Sequence, residues 1–507
     1  MINTINKRNL IIFLIILGIA ILLCQNFLQM HYSSDTYVLY DLGYMQYPSQ
    51  YFLIDGRIIS SIICYTAGIL NIPIPIYIIG MDFIGIIIMS LSIYLLYKLF
   101  KDMINPSTLL EEILLIASCF VLILNQFSLE YLLFPESAVM CLGVFLNIIA
   151  VRILINSKKF KYLKIFICLL LTSLCYQGVL NIFPVLAMLV FIVKQIKDER
   201  EYKIKLKEFF VTMIILSIIL ILVFLICMGV IKIFKYLLNT KIDRSVEISN
   251  FQDVQLRGKI VLNYINELWN KGMYMLPNNT CNIILCDSII LLIMLKTKRQ
   301  VIMQYFLLLI VTFIICIIPM FMYDTGVCGR VNVPFMMIWG VGLIICLTQS
   351  TITNEMYKNY VVYSYKKYVV YFIIILSFFI NNIFIMQNIT EHIAANRVDE
   401  NMGNTINKVI ENYENSTGIN VVKFGYIYDK SPQQYANGIK HIGSLTERKF
   451  ACPWCIEQAM NFYCNRKFKI VNVDIDFYKK NIYKGDYEEF LEEQLIFNGD
   501  TVYLVIY

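Results

Sequence analysis

Just past its first apolar run the chain carries His31, Ser33, Ser34, Asp35, Thr36 and Tyr37, then Asp41, and later Asp55, Gly56 and Arg57. A carboxylate such as Asp35, a few residues beyond an apolar span, can accept a proton from a hydroxyl at the lipid–water boundary. Arg57 opens a short apolar stretch. Its guanidinium stays charged and its fork matches phosphate oxygens, so at that depth it suits a lipid-linked phosphate. The plainer reading makes these solvated loop residues, with Asp35 or Asp55 capping a helix. Glu136, Tyr176, Gln177 and Arg330 also sit at the ends of apolar runs. Polar groups there are costly against lipid, which argues for a shared aqueous cavity. The competing reading gives Gln177 an interhelical hydrogen bond, makes Tyr176 an interfacial anchor, and leaves Glu130 and Glu136 in a solvated loop. Asp82 lies inside an apolar run, and the sequence names no partner for it.

The elements that must position these groups are membrane spans. The 507 residues are 58% hydrophobic and only 16% charged, and the mean hydropathy is +0.65. Soluble domains carry roughly 25% charge. That composition excludes a cytosolic enzyme, a disordered regulator and a small secreted scaffold. The net charge of +7 reflects basic loops and does not indicate nucleic-acid binding. Apolar runs near 9–28, 74–97, 112–127, 137–155, 163–178, 179–195, 209–230, 281–295, 301–320, 331–350 and 368–387 predict about eleven spans, the third, fifth and eighth short. The segment 58–70 is shorter still and predicts a helix along the membrane surface. With the N-terminus inside, the inner segments collect 21 of the 30 Lys and Arg before residue 388, including Lys7, Arg8, Lys98, Lys101, Lys366 and Lys367. That asymmetry predicts a cytoplasmic N-terminus and, with an odd helix count, a C-terminus on the outer side. All the candidate polar groups then fall on the outer face.

Two further regions stand out. The basic outer loop 231–280, with Trp269, predicts either a cover that stacks sugars or an amphipathic segment on anionic lipid. From 388 to 507, 29 of 120 residues are charged, against 50 of 387 before it, which predicts a small soluble domain. Its pattern is α+β: a helical stretch near 391–414, then β-like runs at Val421–Tyr428, Lys469–Phe477 and Thr501–Tyr507. Cys452, Cys455 and Cys464 are its candidates for a disulfide, since outer compartments are oxidising. Zinc would lack a clear fourth ligand, His441 being the nearby histidine.

Several of these motifs resemble the Gtr type II group of membrane glucosyltransferases, within the GT-C glycosyltransferase architecture. Asp35 stands where that group has its first acidic residue, with Thr36 where a second often follows. Asp55-Gly56-Arg57 resembles its Gly-Arg step. Leu132-Leu133-Phe134-Pro135-Glu136-Ser137 resembles its acidic-Ser step, Tyr176-Gln177 a hairpin pair, and Gly329-Arg330-Val331-Asn332-Val333-Pro334 an Arg-x-x-x-Pro segment opening a late span. The motifs are short, but they run in order through most of the chain.

The resemblance implies an all-α, multi-pass GT-C-like domain over 1–387, with the acidic motif in outer loop 29–73, and an α+β extracytoplasmic domain over 388–507. It implies transfer of a hexose, glucose by analogy, from a polyprenyl-phosphate sugar to a cell-surface glycan or lipid-linked glycan at the cell membrane. Asp35 would be the catalytic base, with Asp41 as its substitute or support. Arg57 and Arg330 would hold the departing phosphate. Glu136, Tyr176, Gln177 and Asp55 would contact substrate. No cofactor is required, and a divalent metal is compatible with the site. The alternative is a transporter or flippase of lipid-linked glycans, without catalysis.

Overall fold

The protein is described by a computed structural model covering residues 2–197, 202–240, 251–272, 275–294, 299–322, 328–356, 361–428, 445–473 and 490–506. His441, and the part of the expected strand Lys469–Phe477 from residue 474 on, lie outside these residues.

The chain is an all-α multi-pass membrane protein with a small α+β domain at its C-terminal end. Helices α1 (Ile2–Cys24), α2 (Ser34–Tyr47), α3 (Ile58–Ile69), α4 (Ile74–Ile104), α5 (Leu109–Ile123), α6 (Ser137–Asn156), α7 (Lys161–Cys175) and α8 (Ile182–Lys197) form its first half. The second half holds α9 (Tyr202–Leu237), α10 (Phe251–Lys271), α11 (Thr280–Met294), α12 (Arg299–Met322), α13 (Val333–Met356) and α14 (Val361–Thr417). The C-terminal part adds β1 (Lys423–Tyr428), α15 (Ile456–Tyr463), β2 (Lys469–Ile470), β3 (Leu495–Asn498) and β4 (Thr501–Ile506).

Among the described residues, eight helices are long and apolar enough to cross a membrane. They coincide with eight of the eleven expected spans. The other three are α5, α7 and α11, each 15 residues long. At 1.5 Å per residue that is about 22 Å, short of the roughly 30 Å hydrocarbon core. For α5 and α7 the cause is visible. Each stops early and gives way to a 3-10 turn, Phe127–Leu132 after α5 and Gln177–Asn181 after α7. Residues 124–139 are buried throughout. Irregular backbone at this depth survives only inside protein, with its polar groups paired. Asn381 on α14 and Gln126 supply part of that pairing: Asn381 Nδ2 donates to the Leu124 carbonyl at 2.9 Å, and Gln126 Nε2 donates to the Asn381 carbonyl at 3.1 Å.

Helix α13 runs through the centre of the bundle, and its apolar window is wholly buried. It crosses α5 at Gly340, where a Cβ would meet the Leu122 Cα at 2.5 Å. Gly340→Ala is therefore expected to cost about 1–3 kcal/mol by overpacking, read as a lower melting temperature in detergent. A wild-type temperature would mean that the two helices can move apart.

One end of the bundle is closed by ion pairs. Arg8 and Lys101 meet Glu112 at 2.7 and 3.0 Å, and Lys367 meets Glu111 at 2.8 Å. The starts of α1, α5 and α14 and the end of α4 thus share one face. Helix α14 is 57 residues long in all, about 85 Å, so the last expected span and the helical stretch near 391–414 are one helix. Its far part joins the C-terminal domain, whose open sheet has the order β2-β1-β4-β3, with β1 parallel to β2 and β4 and β3 antiparallel to β4. The core of that domain takes in Met402, Ile406 and Ile410 of α14 together with Phe424, Phe450, Met460 and Val502. It also takes in Tyr37 of α2, whose hydroxyl meets that of Tyr463 at 2.8 Å. The expected outer loop 29–73 is therefore largely helical, and its first helix is clamped by the C-terminal domain.

Candidate functional site

Asp35 is the second residue of α2. Ser33 caps that helix: its Oγ accepts from the Thr36 amide at 3.2 Å, and the Thr36 Oγ1 accepts from the Ser33 amide at 3.1 Å. This reciprocal box explains Thr36, which stands where the resemblance has a second acid: here it is a buried structural residue. A carboxylate in the first turn of a helix is favoured by the helix dipole. The half-buried Asp35 side chain makes no hydrogen bond or ion pair among the described residues.

Arg57 follows a tight turn in which Gly56 has φ +73°, a left-handed conformation that glycine adopts freely. Gln177 donates its amide to the Asp55 carbonyl in that turn and contacts the Cys227 sulfur at 3.4 Å. The Arg57 guanidinium reaches Asp55 at 3.3 Å and Glu136 at 3.2 Å and lies 4.8 Å over the Tyr176 ring. Burial alone would favour its neutral form, but Asp55, Tyr176 and Glu136 outweigh it and hold the group charged.

Tyr176 also joins the second arginine: Arg330 Nε donates to its hydroxyl at 3.0 Å. Arg330 lies in the 3-10 turn Gly329–Val331, and its guanidinium stacks 4.3 Å over Phe134. Glu130 anchors that turn. It accepts from the Gly329 and Arg330 amides at 3.2 and 3.0 Å and from Arg330 Nη1 at 3.4 Å. A Cβ on Gly329 would meet the Glu130 carboxylate at 3.0 Å, a tight contact that glycine avoids.

Glu136 is 1% exposed at the start of α6. Burial pushes its carboxyl up to about 7; Arg57 opposes the rise and Asp35 adds to it. Three polar atoms of this cluster are buried without a hydrogen-bond partner: Glu136 Oε2, Arg57 Nε and Tyr47 Oη. Tyr47 feels the charges of Asp35, Glu136 and Arg57. Buried polar groups are normally paired, so three unpaired atoms in one cluster set this place apart. Of the expected residues, Asp35, Asp55, Arg57, Glu136, Tyr176, Gln177 and Arg330 thus gather at one end of the bundle.

Asp41 does not join them. It accepts from Asn461 Nδ2 at 3.2 Å and lies 3.7 Å from Lys467, both in the C-terminal domain. Six residues along a helix turn a side chain about 120° away from Asp35 and carry it about 9 Å further on. Trp269 packs against Phe313 in a tilted geometry and against Phe335 edge-on. In this structure no disulfide joins Cys452, Cys455 or Cys464, the expected candidates, although the Cys452 and Cys455 side chains are neighbours. Cys452 and Cys455 flank one turn, while the eight-residue α15 separates Cys455 from Cys464 by about 13 Å, beyond disulfide reach. Tyr47 and the anchoring role of Glu130 escaped the sequence reading; the signal for Glu130 was a carboxylate within an otherwise apolar run. Among the described residues no group of three or more His, Cys, Asp or Glu is placed to hold a metal ion.

Compared with known proteins, the chain matches no family model, and no curated protein matches it at a significant level.

Proposed function

We propose that the protein is a membrane glycosyltransferase that moves a hexose from a polyprenyl-phosphate sugar to a glycan or glycolipid hydroxyl on the outer face of the cell membrane, with inversion. The observation that carries this reading is the pair of arginines flanking Tyr176, together with an unengaged carboxylate, Asp35, near enough to Glu136 to act on its charge. Two fixed guanidiniums suit a phosphate whose negative charge grows as the sugar leaves. Asp35 is the base for the incoming hydroxyl, because Glu136 and Asp55 are already committed to Arg57. One base and direct displacement invert the anomeric centre. Trp269, Phe313, Phe335 and Trp339 are among the residues that line a small apolar groove in the same half of the chain as Arg330. It suits the isoprenoid chain of the donor.

The test is transfer from radiolabelled polyprenyl-phosphate hexoses to a native acceptor extract by protein in purified membranes. Transfer is expected with one hexose. Binding of the donor without transfer of any hexose would favour a lipid-glycan transporter. The pH dependence carries a second prediction. Ionised Glu136 competes with phosphate for Arg57, so donor binding takes up a proton as pH rises through about 7. Donor affinity is expected to fall by up to about tenfold per pH unit above that value. Glu136→Gln should flatten the dependence and raise affinity at pH 8. A Gln variant with an unchanged slope would remove Glu136 from donor binding.

A further inference from the structure

Four residues before Asp35 in the sequence, His31 belongs to a buried polar chain that the proposed chemistry does not use. His31 is 1% exposed. Its Nε2 lies 3.0 Å from Asp82 Oδ2, and its Nδ1 lies 3.1 Å from His392 Nε2. Asp82 on α4 and His392 on α14 are fully buried. His392 Nδ1 faces the Leu445 carbonyl of the C-terminal domain. The Phe27 ring packs on both imidazoles, with centroids 4.8 and 5.7 Å away. One helical turn after His392, Asn396 grips the next residue: its Oδ1 accepts from the Tyr32 amide, and its Nδ2 donates to the Tyr32 carbonyl at 3.0 Å. Ser33 then caps α2, and Asp35 follows two residues later.

Donor–acceptor accounting fixes the chain's polarity. A carbonyl only accepts, so His392 Nδ1 carries a hydrogen; burial disfavours the charged imidazolium and keeps His392 neutral, which makes its Nε2 an acceptor. His31 Nδ1 must then donate, which leaves one proton shared between His31 Nε2 and Asp82 Oδ2. The assembly is a net-neutral strut joining four separate segments, and a strut of this kind is costly to break at one point, because the remaining groups stay buried and unpaired.

We infer that His31 is a positioning residue: with Asp82 and His392 it fixes the entry of α2, and hence the place of Asp35 against Arg57 and Glu136, and it ties that placement to docking of the C-terminal domain through Leu445. The catalytic half of this inference rests on the proposed role of Asp35; the geometric half does not. Two readouts separate them. In the first, Asp35→Cys is modified with a membrane-impermeant maleimide, and the peptide holding residue 35 is followed by mass spectrometry. Adding His31→Ala is expected to change the rate at least about fivefold, as local opening frees the start of α2. Asn396→Ala, which loses only the grip on Tyr32, is the milder variant should His31→Ala fail to fold. Equal rates with and without the substitution would overturn the inference, whatever reaction the protein performs.

In the second readout, His31→Ala lowers kcat at least about tenfold with donor KM held within about twofold, the pattern of an interaction that serves the transition state. Asp82→Asn keeps most of the wild-type rate, because its amide donates to His31 Nε2, whereas Asp82→Ala does not. Equal losses in Asp82→Asn and Asp82→Ala would overturn the strut. Absence of transfer by wild type would sink the enzymatic reading alone and leave the labelling result to decide the positioning.

Discussion

Asp35→Asn is expected to lower sugar transfer by about 10²–10⁴-fold, the usual contribution of a positioned general base, while yield and melting temperature stay near wild type. The substitution is nearly isosteric. It spares the Ser33–Thr36 capping box, which holds α2 without help from residue 35. The half-buried carboxylate gives up no hydrogen bond, so the stability cost is confined to the helix-dipole contribution of about 0.3–1 kcal/mol. Asp41→Asn is the matched control. Its carboxylate faces Asn461 and Lys467, so transfer should persist even if the C-terminal domain loosens slightly. Full activity in Asp35→Asn would move the base to Glu136. Loss in Asp41→Asn and retention in Asp35→Asn would reverse the two roles assigned here.

Arg57→Ala is expected to have the largest effect on stability and a large effect on donor binding. The guanidinium holds Asp55 and Glu136 and covers Tyr176. Removing it leaves a fully buried Glu136 without its cation, and breaking a buried pair from one side costs about 3–5 kcal/mol. Part of that cost is relieved by protonation, because the Glu136 carboxyl is already pushed up to about 7. A raised carboxyl pKa destabilises the fold as pH rises from the unfolded value through the folded one. The Arg57→Ala protein should therefore be weaker at pH 8 than at pH 6, by more than wild type is. The double variant Arg57→Ala/Glu136→Gln should recover melting temperature but not donor binding. Recovery of neither would mean that Arg57 acts through Asp55 or Tyr176. Arg57→Lys should fall between, since an ammonium keeps the charge but loses the fork that reaches two carboxylates at once.

How far these effects could be foreseen varies by element. The eight long spans were legible because an apolar run of about 20 residues has few other stable fates. The short third and fifth spans were legible as short, yet not as broken helices. The backbone freed at the end of α5 is paired by Asn381, more than 250 residues away, which Gln126 holds in turn. The 3-10 turn after α5 then carries Glu130 beneath Arg330. Strands β1 and β4 were visible as β-branched and aromatic runs, whereas β3 and α15, of four and eight residues, are too short for periodicity to reveal. In the site, residue types and their shared face were readable from hydropathy and charge.

By itself the sequence determined that this is a multi-pass membrane protein with a small soluble domain at its C-terminal end, and that its polar residues collect where spans end. Those properties follow from local composition, because each apolar segment meets the bilayer's demand on its own. Only the tertiary structure decided which polar residues meet. Arg57 finds Glu136 across 79 positions, Arg330 finds Tyr176 across 154, and Asp41 turns away to Asn461 across 420. A hydrogen bond needs its atoms within about 3 Å, and no local rule fixes that for residues on different helices. Packing around α13, the breaks after α5 and α7, and the clamp of the C-terminal domain on α2 together set those distances.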